Sequence, residues 1–327
     1  MPTFPALPPI LLMSPTSPAR DVIIDCDPGV DDAIALLLAL ASPELRILGI
    51  TTVAGNVPLA LTQRNARQIC ELAGQTGIPV FAGCARPLVR SLLTTAEAVH
   101  GKTGLEGVML PDPQMPLQAQ HGVDFLVETL MGSPTPITIA ATGPLTNIAM
   151  ALVKQPRIVE KIAALVVMGG SVGPGNVTAA AEFNAYVDPH AAHVVFASGL
   201  PLTMFGLNLT HQVVTTARRR QRIEALGSRV SQAVAALLAR YGSHDSDQFG
   251  LAGGPLHDPC VIGYLLQPDL FQLESAQVEV EIASPLTMGQ TVVDRRDPQG
   301  SLTKVAIHAD ADGFFELLTE RLSRYTD

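Results

Sequence analysis

Residues 21–33 read DVIIDCDPGVDDA. Val22, Ile23 and Ile24 make the continuous apolar run expected of a strand buried on both faces. Pro28-Gly29 then fits a tight strand-to-helix turn, with Asp31 and Asp32 in the first turn of the helix that follows. The free N–H groups and dipole of that turn favour a carboxylate by roughly 0.3–1 kcal/mol each. That is enough for one acid but not for three converging ones, and no lysine or arginine lies within the stretch. Like charges a few ångströms apart either take up a proton or share a cation. Carboxylate donors select a hard ion such as Ca²⁺ or Mg²⁺. The plainer reading is a helix cap with spare solvated acids, with Cys26 a small buried residue and Asp25 a brace for the turn.

Beyond this stretch, short apolar runs alternate with helical patterns. Strands are expected at 21–25, 45–53, 136–141, 164–169 and 201–206, and helices at 31–41, 58–73, 121–131, 144–153 and 189–198. The alternation implies an α/β fold: an open, mostly parallel, Rossmann-like sheet with helices on both faces. After residue 217 the pattern changes. A long helix is expected over 218–241, then a glycine-rich loop with the composition of a lid, GSHDSDQFGLAGG. VEVEI, TVVD and KVAIH read as an added set of strands, closed by a helix at 312–325. Residues 1–20, broken by prolines, read as a loose tail rather than a secretion signal, and 21–327 as a single domain with this small C-terminal subregion.

The bulk numbers narrow the function. The 327 residues are 47% hydrophobic and 16% charged, with a net charge of −9. The mean hydropathy is +0.29 and the pI about 5.3. A large core is therefore available, whereas a nucleic-acid partner, which needs lysine and arginine, is disfavoured. The one basic run, RRRQR at 218–222, reads as a solvated helix face. Four isolated cysteines without CxxC spacing point to reduced thiols in the cytoplasm, and no apolar run reaches the length of a membrane span.

Ligands of open α/β sheets bind beyond the carboxyl ends of the strands. Each expected strand runs into a polar cluster there: CDPGVDD, AGN, TGPLTN, GSVGPGN with AEFN, and LNLTH. A further acid, Asp258, follows His257 in PLHDPC.

Taken in order, DVIIDCDPGVDDA, TTVAGN, HGKTGL, ATGPLTNIAMAL, VVMGG, AAEFN and HDPC resemble the inosine–uridine-preferring nucleoside hydrolases. The resemblance runs from about residue 21 to the C-terminus. It implies hydrolysis of the N-glycosidic bond of ribonucleosides to free base and ribose, with one Ca²⁺ per subunit and a homodimeric or homotetrameric assembly. By the same resemblance, Asp27, Asp32 and Asp258 would hold the ion through carboxylates and Thr142 through its carbonyl. Asp31 would take the proton of a water that the ion holds, and His257 would assist the leaving base as its acid. Asn56, Asn176, Glu182 and Asn184 would bind ribose hydroxyls, Met168 and Phe183 would shape the floor, and His100 and His257 would face the base, with Tyr241 contacting it from the late loop.

The chain has no tryptophan, which disfavours a site that stacks purines between indoles and leaves base preference as pyrimidine or mixed. Phe249 would be a further base contact, while Asp245 stands where a tyrosine or glutamine would be expected. Two other classes remain open here. A phosphatase of the haloacid dehalogenase type also opens with strand-DxD and would use Lys154 or Lys161. A non-catalytic nucleoside- or sugar-binding protein would need neither Asp31 nor His257.

Overall fold

The computed structural model describes residues 19–91, 93–241, 249–297 and 301–327. Its core is a nine-stranded sheet in the order β10-β13-β7-β6-β5-β1-β2-β3-β4. The strands are β1 Arg20–Cys26, β2 Leu45–Thr52, β3 Val80–Ala82, β4 Leu117–Gln118 and β5 Ile137–Ala141. They continue with β6 Ile162–Met168, β7 Leu202–Phe205, β10 Phe271–Ser275 and β13 Lys304–Ala309, while β8 Val214–Thr215 and β9 Gly254–Pro255 pair separately. Every pairing is parallel except that of the edge strand β10 with β13.

Alternation within the strands builds two cores. Val22, Ile24 and Cys26 of β1 face one cluster and Ile23 the other; Val166 and Met168 of β6 oppose Leu165 and Val167 in the same way. Sequence runs that show no polar face are therefore buried on both sides. Helix α1, Val30–Leu40, is apolar almost all round because it is sandwiched between the sheet and the helices Leu59–Leu72 and Pro259–Leu266.

The five central strands match their expected positions within two residues at each end. Two expectations need correction. The long helix over 218–241 is two helices, Ala217–Glu224 and Arg229–Arg240. Gly227 turns the chain at a φ of +83° between them, and Ser228 caps the second through its side chain. KVAIH also belongs to the main sheet as β13, parallel to β7, so that β11 Gln277–Val280 and β12 Thr291–Asp294 alone form the added hairpin. The edge strands β4 and β10, and β3 beside β4, are too short or too polar to stand out in the sequence.

Strand order places the site. The chain steps from β1 to β2 and β3 on one side and from β5 to β6 and β7 on the other, so β1 and β5 flank the point where the winding reverses. A crevice opens at the carboxyl ends of strands at such a point.

Candidate active site

At the end of β1, Asp27 is followed by the Pro28-Gly29 turn, and Gly29 caps α1. Asp32 reaches back so that its Oδ2 accepts the Gly29 N–H at 3.0 Å. Asn65 closes the turn from the other side, donating from Nδ2 to the carbonyls of Pro28 and Thr103. The turn needs glycine because a Cβ at position 29 would lie 2.5 Å from His100 Nδ1 and 2.8 Å from Asn56 Nδ2.

Four aspartates meet here. Carboxylate oxygens of Asp31, Asp32 and Asp258 lie within 4.8 Å of one another, and all three residues are buried. Asp32 is held by the Thr142 hydroxyl at 2.8 Å and by Asn56 Nδ2 at 3.0 Å. Asp27 lies fully buried behind them, with Oδ2 accepting the Asn56 N–H at 2.7 Å. Its Oδ1 is buried without a hydrogen-bond partner among the described residues. Glycines at 55 and 143 make room for this carboxylate, since a Cβ would stand 2.0 Å from Oδ2 or 2.7 Å from Oδ1, respectively.

Electrostatics follow from burial. Loss of water pushes Asp27 and Asp258 well above the usual carboxylate range, and neighbouring aspartate charges push them further. Asp32 is raised to about 6 by burial and the Asp31 charge, against the pull of the Gly29 N–H and the Thr142 hydroxyl. A partnerless buried oxygen amid converging carboxylates that burial holds back from ionising is compatible with a site that takes compensating positive charge. The donor set is oxygen only, so this buried aspartate cluster fits a hard divalent cation.

A cavity of about 280 Å³ opens over the cluster. Asp31, Thr142 and Asp258 line it, together with Met168, Asn176, Glu182, Phe183 and Asn184. Asn56, His100, Tyr241 and His257 line it too, so twelve of the fourteen residues given a role by the resemblance face this space. Asp27 and Asp32 do not; they stand behind it, fully buried.

Each wall residue is pinned by its local fold. Glu182 caps the short helix Phe183–Val187 and also accepts the Gly170 N–H at 2.8 Å. Burial raises its carboxyl while the N–H groups of Asn184, Gly170 and Ala185 pull it back. Asn184 donates from Nδ2 to the carbonyls of Thr142 at 2.8 Å and Met168 at 3.1 Å. Asn176 Oδ1 accepts the Phe183 N–H at 3.0 Å. His100 Nδ1 accepts the Val30 N–H at 3.1 Å and lies 3.9 Å from Asp31 Oδ1. The Tyr241 and His257 rings stand edge to face at 6.5 Å.

Some residues lie elsewhere than their sequence context implied. Asp25 braces β1 to its surroundings rather than the turn, accepting from Thr51 Oγ1 and Asn147 Nδ2. Burial raises its carboxyl to about 7. Phe249 packs against His211, ring centroids 4.6 Å apart, and is not part of the lining. Asp245 and most of the lid loop, 242–248, fall outside the described residues. Thr94, Thr95, Ala96, Ala98, Val99 and Val177 also line the cavity. Nothing in their small, mixed side chains distinguishes them in the sequence; the available signals were adjacency to His100 for Thr94 to Val99 and to Asn176 for Val177.

No lysine or arginine lines the cavity among the described residues. Lys154 pairs with Asp124 at the surface, and Lys161 donates to the Ser133 carbonyl. The phosphatase alternative thus lacks the cation its substrate would require.

The comparisons agree with this geometry. The family model described as inosine-uridine preferring nucleoside hydrolase matches residues 22–316. A pyrimidine-specific ribonucleoside hydrolase, RihA, from Citrobacter koseri is 46% identical over 94% of this chain and 99% of its own. A Schizosaccharomyces pombe protein is 48% identical over 93% of this chain and 99% of its own. Among solved structures, the purine-preferring ribonucleoside hydrolase from Gardnerella vaginalis superposes with a TM-score of 0.88 at 32% identity, covering 93% of this chain and 98% of that one. With its mostly parallel α/β sheet and its buried aspartate cluster beneath a cavity, the chain belongs to the inosine–uridine-preferring nucleoside hydrolase family and is an N-glycosidase.

Proposed function

We propose that the chain hydrolyses pyrimidine ribonucleosides in preference to purine ones, releasing free base and ribose with the help of one Ca²⁺. The observation that carries this reading is the meeting of Asp31, Asp32 and Asp258 oxygens within 4.8 Å at the edge of a cavity lined by Asp31, Asp258 and His257. Pyrimidine preference draws on the 46% identity to an enzyme named pyrimidine-specific, against 32% to one named purine-preferring.

Asp27, Asp32 and Asp258, with the Thr142 carbonyl, would hold the ion. When bound, it supplies positive charge that anchors the ribose hydroxyls and acidifies water. Asp31 takes the proton from the attacking water as the water oxygen bonds to C1′. The C1′–N bond breaks, its electron pair passes to the base, and His257 donates a hydrogen bond to the base as it departs. Cleavage of the C1′–N bond runs ahead of water attack, and the carboxylate cluster favours the oxocarbenium-like sugar present in that interval. Asn56, Glu182, Asn176 and Asn184 orient the ribose, Met168 and Phe183 form its floor, and His100 and Tyr241 face the base.

No described helix is long and apolar enough to cross a membrane. Four free cysteines fit the reducing cytoplasm. Assembly as a homodimer or homotetramer completes the reading, and light scattering tests it. The functional test is a panel of ribonucleosides and 2′-deoxynucleosides assayed for free base. Uridine and cytidine should be cleaved faster than inosine, and 2′-deoxyuridine hardly at all. Faster cleavage of inosine, or equal cleavage of the deoxynucleosides, would reject this assignment.

A further inference from the structure

The polar cluster LNLTH, residues 207–211, follows β7 and lies behind the cavity rather than on its wall. Thr210, at the end of the helix Leu207–Thr210, is fully buried. Its Oγ1 stands 2.8 Å from His257 Nδ1, the hydroxyl's one hydrogen-bond partner among the described residues. His257 lines the cavity, so with Nδ1 on Thr210 its Nε2 occupies the opposite edge of the ring.

The direction of this bond decides where the ring proton sits. A threonine hydroxyl has one proton to donate and lone pairs with which to accept. If Nδ1 carried the ring proton and donated it to Oγ1, the hydroxyl proton would be buried with nothing to receive it, which is costly. If the hydroxyl donates into the Nδ1 lone pair, that proton is used. In a neutral imidazole the ring proton is then on Nε2, because the partner of one ring nitrogen fixes the state of the other.

We propose that Thr210 is a positioning residue that holds His257 as the Nε2–H tautomer. This rests on His257 being the donor to the leaving base. From Nε2 the imidazole donates a hydrogen bond to the base as the C1′–N bond breaks and its electron pair collects there. The ring keeps its proton; the base leaves as a hydrogen-bonded anion and takes a proton from water afterwards. Sequence reading could not reach this pairing, because Thr210 and His257 are 47 positions apart.

The test compares Thr210→Val, which keeps the shape but removes the hydroxyl, with Thr210→Ser, which keeps the hydroxyl. On uridine, Thr210→Val should lose about 100-fold in kcat, while on p-nitrophenyl riboside, whose leaving group departs unaided, both variants should stay within about threefold of the parent. Thr210→Ser should restore uridine cleavage. Equal losses on both substrates, or none on uridine, would overturn the proposal. Nitrogen-15 NMR of the side chain, assigned against His257→Ala, reads the tautomer without turnover. It should show protonated Nε2 in the parent and a shift of the proton towards Nδ1 in Thr210→Val. Protonated Nδ1 in the parent would overturn it. His257→Ala assayed on both substrates separates the two levels: equal losses there would remove His257 as donor, while the NMR result still decides what Thr210 does.

Discussion

Gly55→Ala puts the candidate cation site under direct steric load. An added Cβ would stand 2.0 Å from Asp27 Oδ2, 2.9 Å from its Cγ and 2.8 Å from Pro144 Cδ. To reach ordinary contact the carboxylate must retreat by more than an ångström, yet Oδ2 is fixed on the Asn56 N–H at 2.7 Å. Overpacking a tight interior costs about 1–3 kcal/mol. Losing a hydrogen bond to a charged group adds about 1.5–3 kcal/mol. If even half of that total falls on the state that holds the ion, calcium affinity drops about 10- to 100-fold, at about 1.4 kcal/mol per factor of ten. Calcium titration by calorimetry reads the affinity, with Gly132→Ala as control because a Cβ there meets nothing within 4 Å. A Gly55→Ala protein that binds calcium as the parent does would show that Asp27 takes no part in holding the ion.

Three further outcomes follow from the same geometry. Asp25, raised to about 7, and Asp32, raised to about 6 from 3.8, bind protons more tightly folded than unfolded. Calcium-free protein should therefore lose stability as pH rises from about 4 to 7, on the order of 3 kcal/mol from Asp32 alone. Because bound calcium offsets the ionised Asp32, the melting-temperature gap between calcium-loaded and chelated protein should widen with pH; a gap that narrows refutes the linkage. Asp31→Asn should cut uridine turnover by about a thousandfold or more while ribose still binds, and near-parent turnover would remove Asp31 as the base. His257→Ala should impair uridine at least about tenfold more than p-nitrophenyl riboside, measured as kcat/KM, and equal losses would reject a donor role.

The parallel strands were legible because burial on both faces leaves no polar register, as in DVIID and ALVVMG. The β1–α1 turn was legible because Pro28-Gly29 and two acids mark a helix start. Elements set by tertiary context were not. A single Gly227 breaks what reads as one amphipathic helix, and KVAIH alternates like an exposed hairpin although it pairs with β7. In the site, residues carried by polar clusters after strands converge on the cavity, whereas the wall from Thr94 to Val99 has no chemical signature. Hydrogen bonds between distant segments, such as Asn65 to Pro28 and Thr210 to His257, depend on side-chain direction and stay invisible until the chain is folded.

The most direct test of the cation-centred site is crystallographic. Crystals grown with calcium and measured for its anomalous scattering should show one peak per chain, in contact with carboxylate oxygens of Asp27, Asp32 and Asp258 and the Thr142 carbonyl. Anomalous density confined to the molecular surface, with those oxygens surrounded by solvent alone, would contradict the account.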